Sequence, residues 1–244
     1  MAFLTFRGGI HPYDGKDLSK NCPVEKYLPK GDLAILVSQH IGAPAKPIVK
    51  KGDHVLAGQK IAEAGGFVSA PIHSSVSGTV KGIEKRLTAV GPMGDAIIIE
   101  NDGLYESVEY TPAKLSDLSK EDILKRIQEG GVVGQGGAGF PTCVKLKPAK
   151  PVDTILLNGC ECEPLLTADH RVLLEYADDI IFGLKAVLKT TGAEKGIIVI
   201  EDNKPDAIEL MQKKVADIGN MEVFVAKTKY PQGAEKTLIK RVMG

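Results

Sequence analysis

The run GGVVGQGGAGFPT, from Gly130 to Thr142, separates two differently patterned parts of this 244-residue chain. Six of its thirteen residues are glycine and none is charged. Glycine loses more backbone entropy on ordering than other residues, so such a cluster is typical either of a flexible linker or of backbone that approaches another group closely. The apolar residues Val132, Val133 and Phe140 argue against a linker. The run therefore predicts a close-approach loop whose N–H groups can bind an anion, such as a phosphate.

The spacing of these glycines matches neither the dinucleotide fingerprint G-x-G-x-x-G nor a P-loop, because no Gly-Lys-Ser/Thr sequence follows. A helix leads into the loop: Ser119 is a favourable N-cap, and Glu121 and Asp122 follow in the first turn. Gly130 and Gly131 end this helix.

Strands and helices alternate after the loop. Short runs rich in β-branched residues predict strands at 153–157, 196–200 and 222–226, and the segments between and after them predict helices at 167–190, 204–218 and 233–242. This alternation predicts a Rossmann-like α/β domain with a parallel sheet over residues 119–244. Ligands of such sheets bind at the carboxyl ends of the strands, which is where the segments 158–164 and 230–235 follow.

Before the loop, short β-type runs separated by glycine predict a small β module over residues 31–100, preceded by an irregular arm (1–30) and followed by a connector (101–118). The module resembles the barrel-sandwich fold of biotinyl and lipoyl carrier domains. Those carriers attach their cofactor to a lysine at a hairpin tip, but the corresponding turn at residues 65–68 has none. The module is therefore most simply interpreted as a docking domain.

Bulk properties exclude several classes of function. Lys plus Arg and Asp plus Glu are both 31, so no basic surface for a nucleic acid is expected. Four cysteines in a chain of this length are not typical of a secreted disulfide framework, which favours a reducing compartment. No apolar run approaches the roughly 18 residues that span a bilayer. We therefore expect membrane association only through partner subunits.

The segment at residues 134–142 resembles the flavin- and NADH-binding loop of the flavoprotein subunit of respiratory complex I. Together with RGGIHP at residues 7–12, it makes the whole chain resemble more closely the RnfC subunit of the Rnf complex, a membrane-bound ferredoxin:NAD oxidoreductase. The resemblance covers essentially all 244 residues. It implies bound FMN and NAD(H), with Gly134, Gly136, Gly137, Ala138 and Gly139 forming the cofactor loop.

The resemblance also implies roles for two residues that patterns alone would assign elsewhere. Phe140 matches an aromatic residue that stacks on the adenine of NADH, and Lys145 matches a lysine near the flavin phosphate. Taken alone, Phe140 would be a core residue and Lys145 a surface lysine.

The segment NGCECEP at residues 158–164 has three interpretations. Cys160 and Cys162 are metal-type ligands, although Cys143 and a fourth ligand would have to join them. The segment is alternatively a polar turn whose carboxylates cap the following helix. The resemblance implies instead that Asn158, Glu161 and Glu163 hydrogen-bond the flavin or the nicotinamide ribose and carboxamide.

The last implied contact lies in YPQGAEKTL at residues 230–238, where Gly233 matches a glycine against the flavin and Glu235 an acidic contact to NADH. The flavin carries the redox chemistry, so no side chain is predicted to be catalytic and none to bind a metal. The family passes electrons to two [4Fe–4S] clusters, but no Cys-x-x-Cys-x-x-Cys-x-x-x-Cys-Pro motif is present. We expect the cluster-binding region to lie outside this chain, which would then be a piece of a longer protein.

These implications define an NAD(H)-dependent flavoprotein oxidoreductase component of a larger complex. Its partners would be the other Rnf subunits, a ferredoxin-linked electron chain and NADH, and it would lie peripherally on the cytoplasmic face of the cell membrane. An alternative follows from a distant resemblance to a subunit of the sodium-translocating NADH:quinone reductase that shares this architecture. The chain would then be a scaffold without flavin, and the β module would be its working surface.

Overall fold

The computed structural model describes residues 6–135, 137 and 139–244, and its backbone contacts divide the chain into two compact units. One unit is Tyr27–Ala149, and the other joins Lys150–Gly244 to the N-terminal residues up to Lys26. The boundaries predicted from the sequence, at residue 30 for the arm and residue 119 for the α/β domain, stay a prediction.

The unit Tyr27–Ala149 contains the β module. Its strands are β1 (Leu33–Leu36), β2 (Lys46–Pro47), β3 (His54–Val55), β4 (Lys60–Glu63), β5 (Ile72–His73), β6 (Gly78–Leu87) and β7 (Met93–Asn101). They form a four-stranded antiparallel sheet in the order β1-β7-β6-β3 and a three-stranded antiparallel sheet in the order β2-β4-β5. The predicted barrel-sandwich module is confirmed.

Ile97 and Ile99 of β7 contribute alternate residues to the core of this module, as expected for a sheet with one buried face, whereas β4 contributes the adjacent Ile61 and Ala62. Val55, Ile61, Ile97 and Ile99 are fully buried and pack in one cluster. The longest pair, β6 with β7, has a register irregularity between Val80 and Gly82.

Two helices follow the module in the same unit: α1 (Lys120–Glu129) and the single turn α2 (Thr142–Lys145). The start of α1 is a capping box, in which the Asp122 N–H donates to Ser119 Oγ (3.1 Å) and the Ser119 N–H donates to Asp122 Oδ2 (3.0 Å). The helix ends at Gly130, as the sequence predicts.

The α/β unit contains β8 (Thr154–Gly159), α3 (Ala168–Glu175), α4 (Ala177–Thr191), β9 (Lys195–Glu201), α5 (Pro205–Val215), β10 (Met221–Ala226) and α6 (Glu235–Met243). The strands form a parallel sheet in the order β10-β9-β8. Ile198, Val199 and Ile200 of the central strand β9 are fully buried, so helices cover both its faces. The predicted parallel α/β fold is confirmed.

The single helix predicted at 167–190 is wrong in one respect, because the chain forms two helices that meet at Tyr176. Tyr176 has φ −125° and ψ 31°, outside the helical range. Its N–H still donates to Val172 O (2.9 Å), and its carbonyl accepts from the Ile180 N–H (3.0 Å). The interruption is therefore one residue wide, and nothing in the local sequence explains it.

Candidate functional site

The predicted site residues fall into two groups, one in each compact unit. The glycine loop, Phe140 and Lys145 belong to Tyr27–Ala149, whereas the residues of the segments 158–163 and 233–235 belong to the unit with Lys150–Gly244. Each unit therefore positions its own set of groups.

The glycine loop is closed at its base like a hairpin. Val133 and Pro141 form an antiparallel bridge, the Gly134 N–H donates to Phe140 O (3.0 Å), and the Thr142 N–H donates to Val132 O (2.9 Å). These contacts fix the two ends of the loop.

Two glycines of the run are explained by packing against the β module. Gly139 is buried with φ +65°, and a Cβ there would lie 3.0 Å from Gln39 O. Gly131 has φ +63°, and its Cβ would lie 2.5 Å from Pro71 O. These positions require glycine for conformation and for space, without reference to a ligand.

The predicted cradle glycines are different. No described atom lies within 4 Å of a Cβ added to Gly137, and at Gly134 the nearest is Phe140 O at 3.8 Å. Both residues are exposed, so their backbone is open to a ligand. The predictions for Gly136 and Ala138 lie outside the described residues.

Phe140 and Lys145 also present accessible side chains. Phe140 is 39% exposed rather than part of the core, and Lys145 is an exposed residue at the end of α2. An accessible aromatic ring and an accessible cation suit stacking on a base and pairing with a phosphate. Their roles stay predictions.

A cavity of about 200 Å³ lies between the glycine loop and the β module. It is lined by residues 39–40 and 70–73 and by Gly131, Val133 and Gln135. Typical pockets for whole cofactors measure about 300–1,000 Å³, so this one is large enough only for part of such a molecule.

Two histidines border this cavity, and sequence reasoning had left His40 unnoticed. His40 is buried, with Nδ1 3.1 Å from Ile41 O and Nε2 3.1 Å from the Ala70 backbone N. Nε2 also lies 3.1 Å from Ala70 O, so backbone atoms hold the His40 ring on both sides. Burial lowers the pKa of His73, so the His73 ring is largely neutral at pH 7.

In the α/β unit, Asn158 joins the two predicted flavin segments. It lies at the carboxyl end of β8, where Nδ2 donates to Gly233 O (2.8 Å) and Oδ1 accepts from the Cys160 N–H (3.1 Å). The side chain is exposed. An amide has two N–H donors and two acceptor lone pairs, so one of each remains available to a ligand.

Glu161, by contrast, is occupied inside the protein. It is 3% exposed, its Oε1 accepts from the Asp169 N–H (2.8 Å) in the first turn of α3, and its Oε2 lies 3.5 Å from Lys16 Nζ. Glu163 is exposed, and its carboxylate has no hydrogen bond or ion pair within the described part of the chain. Of the two predicted carboxylates of this turn, Glu163 is the one open to a ligand.

Gly233 and Glu235 lie where the chain enters α6. A Cβ on Gly233 would lie 2.3 Å from Cys160 O, and the Gly233 N–H donates to Cys162 Sγ (3.3 Å). Only glycine therefore fits at position 233, because any side chain would clash with the backbone of the Cys160–Cys162 turn. Glu235 is the first residue of α6, and its carboxylate is exposed.

A buried charged pair lies beside these segments, and nothing in the local sequence pattern indicates it. Glu201 ends β9 with no exposed surface, and Lys204 before α5 is 1% exposed, with Nζ 3.6 Å from Glu201 Oε2. Burial raises the pKa of Glu201. Gln232 is also fully buried, and its side-chain amide finds no hydrogen-bond partner within the described residues.

The cysteines of the turn are poor candidates for metal ligands or nucleophiles. Burial raises the pKa of Cys160, with the nearby Glu201 carboxylate adding to the effect, and burial raises that of Cys162 as well. Both thiols therefore stay protonated at neutral pH, whereas the thiolate is the form that binds metal. Among residues 6–135, 137 and 139–244, no group of three or more His, Cys, Asp or Glu side chains is arranged to hold a metal ion.

None of the helices in the described residues has the length and apolar character needed to cross a membrane.

Two family models match the sequence. Residues 4–104 match the RnfC barrel sandwich hybrid domain, and residues 127–244 match the Nuo51 FMN-binding domain, a stretch that contains every predicted cofactor residue. Together the two matches assign the chain a likeness to RnfC proteins over residues 4–104 and to the Nuo51 FMN-binding domain over residues 127–244.

Curated relatives agree with this assignment. The RnfC protein of the Na⁺-translocating ferredoxin:NAD⁺ oxidoreductase complex of Acetobacterium woodii is 46% identical over 246 residues, which cover 98% of this chain and 55% of that protein. The corresponding protein of the proton-translocating complex of Clostridium ljungdahlii is 46% identical, with 98% and 53% covered. That of the ion-translocating oxidoreductase complex of Haemophilus influenzae is 39% identical, with 98% and 37% covered. The chain spans about half, or less, of the length of these RnfC relatives.

Proposed function

We propose that this chain supplies FMN and NAD(H) binding to the RnfC component of a membrane-bound, ion-translocating ferredoxin:NAD⁺ oxidoreductase. Bound FMN would supply hydride exchange with NAD(H) and one-electron exchange with two [4Fe–4S] clusters outside these residues. The protein's own groups bind and orient the two ligands, and no side chain acts as an acid or a base.

The observation that carries this proposal is the hydrogen bond from Asn158 Nδ2 to Gly233 O (2.8 Å). It joins the segment after β8 to the segment before α6, the two parts of the α/β unit that resemble flavin contacts. They meet at the carboxyl edge of a parallel sheet, where ligands of such folds bind.

The groups available at this edge suit the proposed ligands. The isoalloxazine ring presents N–H and carbonyl groups, and the exposed Asn158 amide retains one donor and one acceptor for them. The exposed carboxylates of Glu163 and Glu235 are acceptors for ribose hydroxyl or carboxamide N–H groups. In this proposal Glu161 contributes indirectly, because its oxygens contact Lys16 and the Asp169 N–H.

The glycine loop offers the groups that a phosphate requires. The backbone at Gly134 and Gly137 is exposed, and the Cβ positions there are open, so an anion can approach the N–H groups. Lys145 supplies an accessible positive charge and Phe140 an accessible ring. Gly136 and Ala138 complete the proposed cofactor loop.

The proposed partners are the other subunits of the complex, a ferredoxin-linked electron chain and NADH. We place the protein peripherally on the cytoplasmic face of the cell membrane, held there by those subunits. The relatives' names support this proposal, since each is a component of an ion-translocating oxidoreductase complex.

One observation favours the alternative of a flavin-free scaffold. Gly131 and Gly139 are explained by their packing against the β module, so part of the loop's glycine content needs no ligand. The two functions differ at Gly137, where no packing within the described residues requires glycine.

Replacing Gly137 therefore tests the proposal. Gly137→Val puts a branched side chain where backbone is to meet the phosphate, and we expect FMN affinity, measured by quenching of flavin fluorescence, to fall at least about tenfold. Gly219→Val is the matched control, because Gly219 is also exposed with an open Cβ position. Unchanged FMN affinity in folded Gly137→Val, or no FMN binding by the unsubstituted protein, would favour the scaffold.

A further inference from the structure

The N-terminal arm contacts both predicted flavin segments of the α/β unit. Its residues 6–24 contact the chain after β10 first, then the turn after β8, and then α3. We propose that the arm is a positioning element of the cofactor site, and that Lys16 is the residue through which it positions the acidic turn at 160–163. This inference rests on the proposed function.

The first contact is with the segment that contains Gly233 and Glu235. Ile10 and Tyr230 form a two-bond antiparallel bridge, with N–H to carbonyl distances of 2.9 Å in both directions. Gly9 beside it has φ +81°, and a Cβ there would lie 2.6 Å from Tyr230 O. The close backbone approach therefore requires glycine at this position, which gives a structural reason for Gly9 in the RGGIHP sequence.

The second contact is the side chain of Lys16. This lysine is 7% exposed, and its Nζ donates to Leu166 O (2.5 Å) and Glu163 O (3.0 Å) and lies 3.5 Å from Glu161 Oε2. An ammonium has three N–H donors, which matches these three acceptors in residues 161–166. The Leu165 N–H also donates to Asp14 O (2.6 Å) of the arm.

These contacts decide how the carboxylates of the turn are oriented. A buried carboxylate is stable in its charged form only with a nearby cation and hydrogen bonds. Lys16 supplies the cation for Glu161, whose other oxygen accepts from the Asp169 N–H. Glu161 is thereby held inward, and the exposed carboxylate of Glu163 is left for a ligand.

The contacts of Lys16 also provide a route by which the arm, distant in sequence, would affect this site. Lys16 and Glu161 are 145 residues apart in sequence, yet Lys16 bonds the backbone of Glu163 itself. A displaced turn would move Glu163 and Asn158 together, because two residues separate Asn158 from Glu161. Lys16 is thus a positioning residue, since it acts on the ligand only through the turn.

The test is Lys16→Met, made in the full-length gene product and purified as the cell assembles it. FMN content, and the KM and kcat for NADH with ferricyanide as acceptor, are measured. We expect the KM for NADH to rise about tenfold with kcat changed less than about twofold, because Lys16 orients a binding group and touches no reacting atom. Lys16→Arg, which keeps the charge, should restore part of the affinity.

Two further variants keep the result interpretable. Lys20→Met makes the same chemical change at an exposed ion pair with Asp17 in the same arm, and it should leave the KM unchanged. The double variant Lys16→Met/Glu161→Gln leaves no uncompensated buried charge, so it should be better folded than Lys16→Met and still show a raised KM.

The outcomes separate the inference from the proposed function. Unsubstituted protein without FMN or NADH oxidation would contradict the proposed function itself. Active unsubstituted protein with an unchanged KM in the double variant or in folded Lys16→Met would overturn the positioning role and make the arm a stabilising contact only.

Discussion

The glycine loop and the acidic turn at 160–163 are built in opposite ways, although both resemble parts of one family's cofactor site. The loop presents exposed backbone at Gly134 and Gly137, and its fixed points are glycines packed against the β module. The turn is fixed by side chains, through Lys16 and the α3 backbone. From this difference we expect substitutions in the loop to act through steric clashes and backbone conformation. Substitutions around the turn should instead act by leaving a buried charge without its partner.

The largest effect should come from the buried pair of the α/β unit. Lys204→Met leaves Glu201 buried without its cation, which should lower the free energy of unfolding by about 3–5 kcal/mol. Lys214→Met is the control, because Lys214 lies on α5, the helix that Lys204 immediately precedes, and pairs with Asp178 at the surface. Such surface pairs contribute about 0–1 kcal/mol. Urea unfolding measures both. Equal losses would break the contrast between buried and surface charge.

The next effect tests the backbone requirement of the loop. Gly139→Ala forces a side chain into a left-handed conformation, with its Cβ 3.0 Å from Gln39 O, and should cost about 2 kcal/mol of unfolding free energy. Gly137→Ala meets no described atom and should change it by less than about 0.5 kcal/mol. Similar losses for the two variants would show that the glycines are not divided between packing and open backbone.

A smaller effect is expected at the start of α1, the helix that leads into the loop at its other end. Ser119→Ala removes the acceptor of the Asp122 N–H and should cost about 1 kcal/mol. Ser119→Thr keeps a hydroxyl and should retain most of the stability. If thermal unfolding showed the same midpoint for Ala and the original Ser, the capping box would contribute nothing to the stability of α1.

The smallest effect is a pH dependence beside the loop. Burial lowers the pKa of His73 below its usual value of 6.5, so the unfolded chain binds a proton at a higher pH than the folded chain. The contribution of neutral His73 to the free energy of unfolding is therefore complete above about pH 6.5, and it declines as the pH falls toward the pKa of the folded state. His73→Gln should reduce the loss of stability between pH 7.5 and 5.5, measured by urea midpoints. The exposed His11→Gln serves as control, and an unchanged pH dependence in His73→Gln would contradict this explanation.

Sequence patterns predicted correctly the helices and strands that are determined by residues close together in the chain. The N-cap Ser119, the end of α1 at Gly130 and the three parallel strands follow from turn chemistry and from runs of β-branched residues. The motif resemblance likewise supplied the segments that meet through Asn158 and Gly233.

What the sequence did not indicate depends on contacts between distant residues. Lys16 is one of several lysines in an irregular arm, and only the folded chain brings it to Glu161. The burial of Lys204 with Glu201 depends in the same way on packing around the edge of the sheet. The interruption at Tyr176 has no breaker residue, so periodicity predicted one continuous helix.

The central claim is most directly tested under anaerobic conditions. The protein is mixed with FMN, unbound flavin is removed, NADH is added, and the visible absorbance of the flavin is followed. The account predicts that flavin is retained and bleached by NADH, which would establish hydride transfer within the protein. Protein that retains no flavin, or retains flavin that NADH does not bleach, would contradict it.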